Sequence, residues 1–515
     1  MEKETKAQRV ERLKKEKDGL DILDDLLALS DAGGVADADM VDRLKWYGFY
    51  THNQHASPAG KQYFMVRVKI PGGRLTLPQM ETLAGISRDF ARNTADITVR
   101  QAIQFHWIAM ENVREIFARL AAVGMTTQNA SGDCPRSIVG CPVAGETHDE
   151  LTDVSDIRCQ VDQFFQGNHD FSNLPRKFKI GISACAKHCM GHEIQDMAFT
   201  GFRAGDGSVR FDVTVGGGLG SNLRIGSRLG TITKEQIFAV CVACAEIFRD
   251  YGKRENRARA RVGHLLDDLG LTEFRRMVEE KVGFALQQDD EPEITPYEKR
   301  CHFGVEPSRV AGKAHVGFAI LSGRLMGERL WHLATLVRQH SADGIALTTS
   351  QNGIVLNVPQ ANVDAVVAAL AQADLPTNPS PFRARALACT GLEFCKFAIS
   401  ETKSRLDDVV RALETRFPDF REPITLCLSG CPHSCSHPHV ADIGCIGWKV
   451  KEDDTLKEGF TLALGGHLQG EEKSVFARKS ESKTTSENLA ETVAALLDEY
   501  AQSGKKSLHH FLALR

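Results

Sequence analysis

The 515-residue chain contains no apolar run approaching the roughly 20 residues that a membrane-spanning helix needs. Its opening stretch, MEKETKAQRVERLKKEKDGLDILDDLL, mixes acids with bases and lacks the apolar core of a secretory signal. No phosphate-binding GxGxxG follows a plausible strand, so nothing suggests a nucleotide or flavin module. An excess of one charge is missing too: a formal net charge of -4 argues against a nucleic-acid partner, although it leaves room for a local basic patch. These absences lead us to expect a cytoplasmic protein with no membrane partner.

What is present is ordinary for a globular chain, with 42% hydrophobic and 25% charged residues. At roughly 150 residues per domain the length implies about three units. Fourteen cysteines without an export signal read as reduced thiols, some of them metal ligands, rather than as a disulfide framework.

The chain is written twice. A shift of 250 positions lays Gly73, Arg74 and Leu75 on Gly323, Arg324 and Leu325. It also lays Thr98 and Gln101 on Thr348 and Gln351, and Asn112-Val113 on Asn362-Val363. A period this long means duplication of a domain-sized unit, not a solenoid. Each copy reads strand (FMVRVKI), helix (LPQMETLAGISRDFA), strand (ITVRQAIQFHWI), helix (ENVREIFARLAAVG), which is half of a ferredoxin-like unit. Two such halves are expected to pair into one sheet layer. The later segments repeat as well: LPRKFKIGISACAKHC, ending at Cys189, lies against FREPITLCLSGCPHSC, ending at Cys435, and VGGGL against LGGHL. The expected fold is α+β and internally duplicated, with a pseudo-twofold axis. We expect a helical arm over 1–50, half-domains over 51–125 and 305–375, and lobes over 126–295 and 376–515. Gln287–Arg300 is the best internal linker.

Cys389 and Cys395 stand in CTGLEFC, and Cys431 and Cys435 in SGCPHSC. Four thiolates presented from glycine-containing turns suit a 4Fe-4S cluster. Zinc sites usually pair cysteines two to four residues apart and fit the first motif less well, while unliganded core cysteines remain a plain alternative. Together with DIGCIG, the two motifs closely resemble the signature of siroheme-containing sulfite and nitrite reductases, and the similarity spans nearly the whole chain. The resemblance implies that Cys389, Cys395, Cys431 and Cys435 hold the cluster and that Cys435 also bridges to the siroheme iron. Two positions depart from the pattern: His433 replaces the usual Asn, and Cys445 a usual apolar residue.

Siroheme carries eight carboxylates, so its site calls for many cationic donors. The resemblance assigns Arg67, Arg136, Lys177 and Lys179 to the substrate anion, and Arg100, Gln104, His106 and Arg176 chiefly to siroheme. It also suggests that Gly216, Gly217 and Gly218 let backbone N–H groups approach a carboxylate. Taken singly, each arginine reads equally as a solvated surface residue, and His106 as a satisfied strand histidine. Lys177 and Lys179 are different, because alternate strand positions share a face, where like charges repel unless an anion lies between them.

Cys134, Cys141, Cys185 and Cys189 imitate the quartet in the first half; we read them as relics of duplication packed in the core. Cys241 and Cys244 lie in a helical pattern and also read as core. Electrons must then come from another protein. A small acidic ferredoxin is the expected donor, and KRENRARAR, from Lys253 to Arg261, is one docking surface to consider beside two plainer readings, a solvated helix face or contacts to siroheme. The chain is expected to act as a monomer on sulfite or nitrite. Lysine at 179, where nitrite reductases of the family tend to have asparagine, favours sulfite, whereas EKDGL looks like a ferredoxin-dependent nitrite reductase.

Overall fold

The computed structural model describes residues 4–57, 61–185, 187, 190–220, 222–288, 302–452, 454–468 and 473–515. Apart from Gln287 and Gln288, the expected linker lies outside them, as does Cys189. An N-terminal arm holds the helices Lys6–Glu16, Leu23–Asp31 and Ala38–Arg43. Thr5 starts the first with a capping box shared with Gln8. The arm is tied down by a buried lysine: Lys14 Nζ meets the Asp133 carboxylate at 3.0 Å and donates to the Leu174 carbonyl at 2.9 Å.

The 250-residue repeat survives in the elements themselves. Strands Tyr63–Val68, Thr94–Ile97 and Ile103–Ala109 and helix Val113–Ala122 have counterparts Lys313–Phe318, Gly344–Leu347, Gly353–Pro359 and Val363–Gln372. The segment ITVRQAIQFHWI is not one strand, however, but two joined by a turn. Gln101 there takes a left-handed φ of 56°, and the Thr98 hydroxyl accepts from the Arg100 and Ala102 amides. Gln351 repeats the same turn with φ 62°. The two glutamines reach across the pseudo-twofold axis reciprocally, Gln101 Nε2 to the Leu347 carbonyl (2.9 Å) and Gln351 Nε2 to the Ile97 carbonyl (2.7 Å).

The halves do not merge into one sheet layer. Each builds a four-stranded sheet and receives its fifth strand from the other half: Arg324–Met326 pairs with Thr94–Asp96, and Arg74–Leu75 pairs with Ile345–Ala346. A single apolar core joins both, with Leu83 and Phe105 from one half and Leu333 and Val355 from the other. Two further cores belong to the lobes, one around Phe199, Phe211 and Phe248 and one around Leu406, Leu428 and Phe460.

Each lobe opens with a parallel strand pair, Ile180–Ser183 beside Met197–Thr200 and Leu426–Ser429 beside Ile443–Ile446. The same carboxylate pins both pairs: Asp196 accepts from the Lys179 amide at 2.7 Å, and Asp442 from the Thr425 amide at 2.8 Å. Cys241 and Cys244 are buried on helix Ile237–Tyr251, as their spacing predicts. Among the described residues no helix is long and apolar enough to cross a membrane.

Candidate active site

The basic residues converge from three elements. Arg67 lies on strand Tyr63–Val68 opposite Gln104, whose side-chain oxygen is positioned to accept from Arg67 Nη2 at 2.6 Å. Arg136 donates to the carbonyls of Ala130 (3.2 Å) and Gly132 (2.6 Å), and Arg67 shares Ala130. Arg100 is held by Gln195 at 2.9 Å and by the Ser137 carbonyl. Phe178 is buried between half-buried Lys177 and Lys179, so both ammonium groups share one face. Among the described residues, neither ammonium group has an ion-pair or hydrogen-bond partner, and the buried Nε atoms of Arg100 and Arg136 are also unpartnered.

Two carboxylates offset only part of this charge. Asp133 takes Arg257 through both oxygens (2.7 and 2.8 Å), with Lys14 and Arg176 (3.3 Å) beside it. Burial alone would raise its pKa, yet those three cations hold it well below the usual carboxylate range. Asp196 takes Arg261 at 2.6 and 2.7 Å. The surplus of cations shows in the lysines. Burial, then Lys179, Arg261 and Arg176, lowers the Lys177 pKa strongly, while burial, Arg261 and Arg100 bring Lys179 down to about 7. A half-buried site with cations lacking partners is built for an anion.

The cysteine loops face this cluster from the second half. Cys389 follows strand Ala386–Ala388, and its sulfur accepts from the Gly430 amide at 3.2 Å. Gly391, with φ 75°, closes the CTGLEFC turn where a Cβ would strike Thr402 Oγ1 at 2.7 Å. Cys431 and Cys435 follow strand Leu426–Ser429, in a turn fastened by a Ser429–Ser436 hydroxyl pair at 2.8 Å. Burial and then Cys435 push Cys389 up to about 12, and Cys435 also acts on Cys395 and Cys431. Cys435 is exposed, and its charge also favours the protonated forms of Arg67 and Lys179, which lie within its electrostatic reach. No three His, Cys, Asp or Glu side chains among the described residues close around a point where one metal ion would fit.

Other expected residues sit differently. His106 does not turn toward the basic group: its Nε2 bonds Asp96 at 3.1 Å, its Nδ1 meets His52 Nε2 at 3.3 Å, and its ring stacks on Phe394 at 3.9 Å. Asp96 is fully buried and also takes two of the three Arg324 nitrogens, so His106 belongs to a bracket behind the CTGLEFC loop. The N–H of Gly216 is committed to the Asp196 carbonyl at 2.8 Å and is not free for a ligand. Gly217 is required by packing, since a Cβ would meet the Glu193 carbonyl at 2.2 Å, while Gly218 opens toward Arg261. Arg254, Arg257 and Arg261 of the basic run bind Glu11, Asp133 and Asp196, so most of that run is internal structure. His433 reaches the Cys431 sulfur at 3.2 Å, whereas Cys445 is buried in the lobe core.

With that geometry in place, comparison with known proteins is informative. The model of the "Nitrite and sulphite reductase 4Fe-4S domain" matches residues 131–286 and 383–510, and that of the "Nitrite/Sulfite reductase ferredoxin-like half domain" matches 55–123 and 307–373. The chain belongs to the nitrite and sulfite reductase family. It is 37% identical over 490 residues to "Sulfite reductase [ferredoxin] 2" of Mycolicibacterium paratuberculosis, covering 91% of this chain and 87% of that one. It is 35% identical to the "Ferredoxin--nitrite reductase" of Synechococcus elongatus, covering 90% and 91%. The solved structure of the Mycobacterium tuberculosis NirA protein superposes with a TM-score of 0.92 at 34% identity, over 98% of this chain and 96% of that one. This reductase is thus an oxidoreductase of α+β fold built on duplicated ferredoxin-like halves.

Several residues of the reductase site escape a reading of the sequence alone. Tyr50 lies under Arg67, whose guanidinium is 5.8 Å from the ring centre. Burial would raise the phenol pKa, but Arg136, Arg67, Lys45 and a bond with Ser131 draw it below its ordinary value. Asp133 and Asp196 had no motif to mark them, and Arg257 and Arg261 were marked only as part of the basic run. Of the two aspartates only Asp196 left a trace, because it aligns with Asp442 when the two lobes are superposed. At the matching place in the second half lies a cavity of about 430 Å³, lined by Arg385, Thr425, His437, Asp442, His467 and His509 among others.

Proposed function

We propose that the protein reduces sulfite to sulfide at a siroheme coupled through Cys435 to a 4Fe-4S cluster, with ferredoxin as the electron donor. What supports this reading is membership in the nitrite and sulfite reductase family together with the two cysteine turns that follow strands Ala386–Ala388 and Leu426–Ser429. The site fits the two groups: four thiols on tight turns for the cluster, and for the macrocycle carboxylates Arg100, Arg176, Gln104 and the open backbone at Gly218. Siroheme, when bound, supplies an iron at which the anion takes up electrons, six in all. Hydrogensulfite then consumes six electrons and six protons to give hydrosulfide and three waters.

The side chains do the remaining work. Arg67 and Arg136, fixed by backbone carbonyls, orient the anion and keep their charge throughout. Lys179, with a pKa near 7, gives up a proton to a leaving oxygen at neutral pH, and Lys177 shares the anion's charge. Their paired ammonium groups favour sulfite, which carries more negative charge and one more oxygen than nitrite. Nitrite reduction to ammonia is the second reading, supported by the similarity to the Synechococcus elongatus enzyme.

The test is an absorption spectrum followed by kcat/KM for both anions. We expect a strong Soret band with a red band, and a modest preference for sulfite that shifts toward nitrite in Lys179→Asn by about 1 to 2 kcal/mol. A broad shoulder near 400 nm alone would leave only a cluster protein, and a tenfold preference for nitrite unchanged by the substitution would overturn the choice of substrate.

A further inference from the structure

The arginines of 253–261 are largely engaged inside the protein, so a charged donor must meet another surface. One exposed feature adjoins the cysteine loops. Phe397, two residues beyond Cys395, is 46% exposed, which is unusual for a phenylalanine. Two ammonium groups lie against its ring, Lys6 at 5.4 Å from the arm helix and Lys396 at 5.6 Å from the loop itself. The His433 ring stands 5.6 Å away, continuing the surface to the second cysteine loop.

Both lysines are exposed, and among the described residues neither has an ion pair. Lys396 makes one hydrogen bond, to Thr51 at 3.2 Å. Exposed cations without a direct ion pair, gathered around an exposed aromatic ring, are placed to receive an anionic partner. The patch is therefore a small apolar centre with a cationic rim, the pattern of a brief, salt-sensitive electron-transfer encounter.

We infer that Phe397, Lys6 and Lys396 form the docking point for a small acidic one-electron carrier, which delivers its electron through the Cys389–Cys395 loop. This rests on the reading that the donor is ferredoxin. Each encounter moves one electron: the carrier is oxidised, the cluster is reduced, and six encounters complete one turnover.

The experiment uses the holoenzyme with reduced ferredoxin and, separately, with a reduced viologen dye that needs no docking site. In the double variant Lys6→Glu/Lys396→Glu, KM for ferredoxin should rise at least tenfold while viologen-driven turnover stays within twofold. Raising ionic strength should weaken the wild type's use of ferredoxin and flatten that of the variant, as screening of facing charges requires. Phe397→Ala should raise KM for ferredoxin by threefold or more without altering its salt dependence. Unchanged KM for ferredoxin in these variants would overturn the docking point. So would a larger rise in Lys479→Glu/Lys483→Glu, which alters the other basic patch with an aromatic ring, around Trp448. A wild type that turns over with viologen but takes no electrons from ferredoxin would instead sink the choice of donor.

Discussion

Strand Ile180–Ser183 is preceded by Lys179 and strand Leu426–Ser429 by Thr425, and the amides of both residues bond an aspartate at the start of the neighbouring strand. The following loops agree too, with Gly216 bonding the Asp196 carbonyl at 2.8 Å and Gly465 the Asp442 carbonyl at 2.9 Å. The side chains differ. Arg176, Lys177 and Lys179 face Glu422, Pro423 and Thr425 across the axis, and Arg261 on Asp196 is answered by His509, 3.9 Å from Asp442. Conversely, the second half offers four cysteines on two turns, whereas the cysteines that imitate them in the first half, Cys134, Cys141 and Cys185 among described residues, are buried. The backbone bonds hold each half in shape whatever the side chains are. In the proposed site the charges are set against the thiols of the opposite half, so that one site would draw cations from one copy and sulfur from the other.

The largest expected effect breaks that meeting point. Cys435→Ser should cut turnover to below about a thousandth, because removing a ligand exceeds the 10- to 100-fold typical of its supporting residues. Spectra and turnover check it; a variant with full cluster, siroheme and activity would dissolve the proposed link between the halves.

A smaller effect separates the two pockets. Lys177→Met should lower turnover at least tenfold with both cofactors retained, since one charge-assisted contact to the reacting anion is worth about 2 to 4 kcal/mol. Thr425→Val, across the axis, should leave kcat within twofold, and equal losses in both variants would mean that the second pocket is also catalytic.

The pH dependence sharpens the contrast further. Lys179 is protonated below about 7 and neutral above it, so its attraction for the anion fades as pH rises through that value. With nitrite, whose own charge is constant there, KM should rise by about tenfold for each unit that the lysine is left uncharged, up to the strength of the contact. In Lys179→Arg the rise should vanish while kcat falls, because arginine keeps its proton. A wild-type KM that is flat from pH 6 to 9 would remove Lys179 from the anion site.

The smallest effect concerns the shared frame. Gln101→Ala strands one carbonyl and one amide, and Gln351→Ala two carbonyls and one amide, each at a cost of about 1 to 3 kcal/mol. Matching falls in Tm would fit the symmetric frame, and a large inequality would show that one half carries it.

Much of this was legible in the sequence for a definite reason. A repeat without gaps carries strand and helix positions over intact, and paired cysteine motifs are local enough to read. The turn at Gln101 was hidden because its polar residues are hydrogen-bonded inside the protein and so do not interrupt the β-rich pattern. The readings of Arg257 and Arg261 as docking surface, solvated face or siroheme contact stayed open because their carboxylate partners, Asp133 and Asp196, lie 60 residues or more away in the chain. For His106 the plainer of its two readings, a satisfied strand histidine, fits its bond to Asp96; what the sequence hides is Arg324, 228 residues from that aspartate.

The exchanged strands have a consequence for how the protein is made. The first sheet's open edge at Thr94–Ile97 is covered only by Arg324–Met326. At 5 to 20 residues per second, synthesis takes roughly 10 to 50 s to pass from one to the other. Throughout that interval the nascent chain presents an unpaired strand edge, the kind of surface that templates aggregation. A gene split between the copies would therefore yield two fragments, each missing a strand that only the other can donate, and they would be expected to be soluble only when made together.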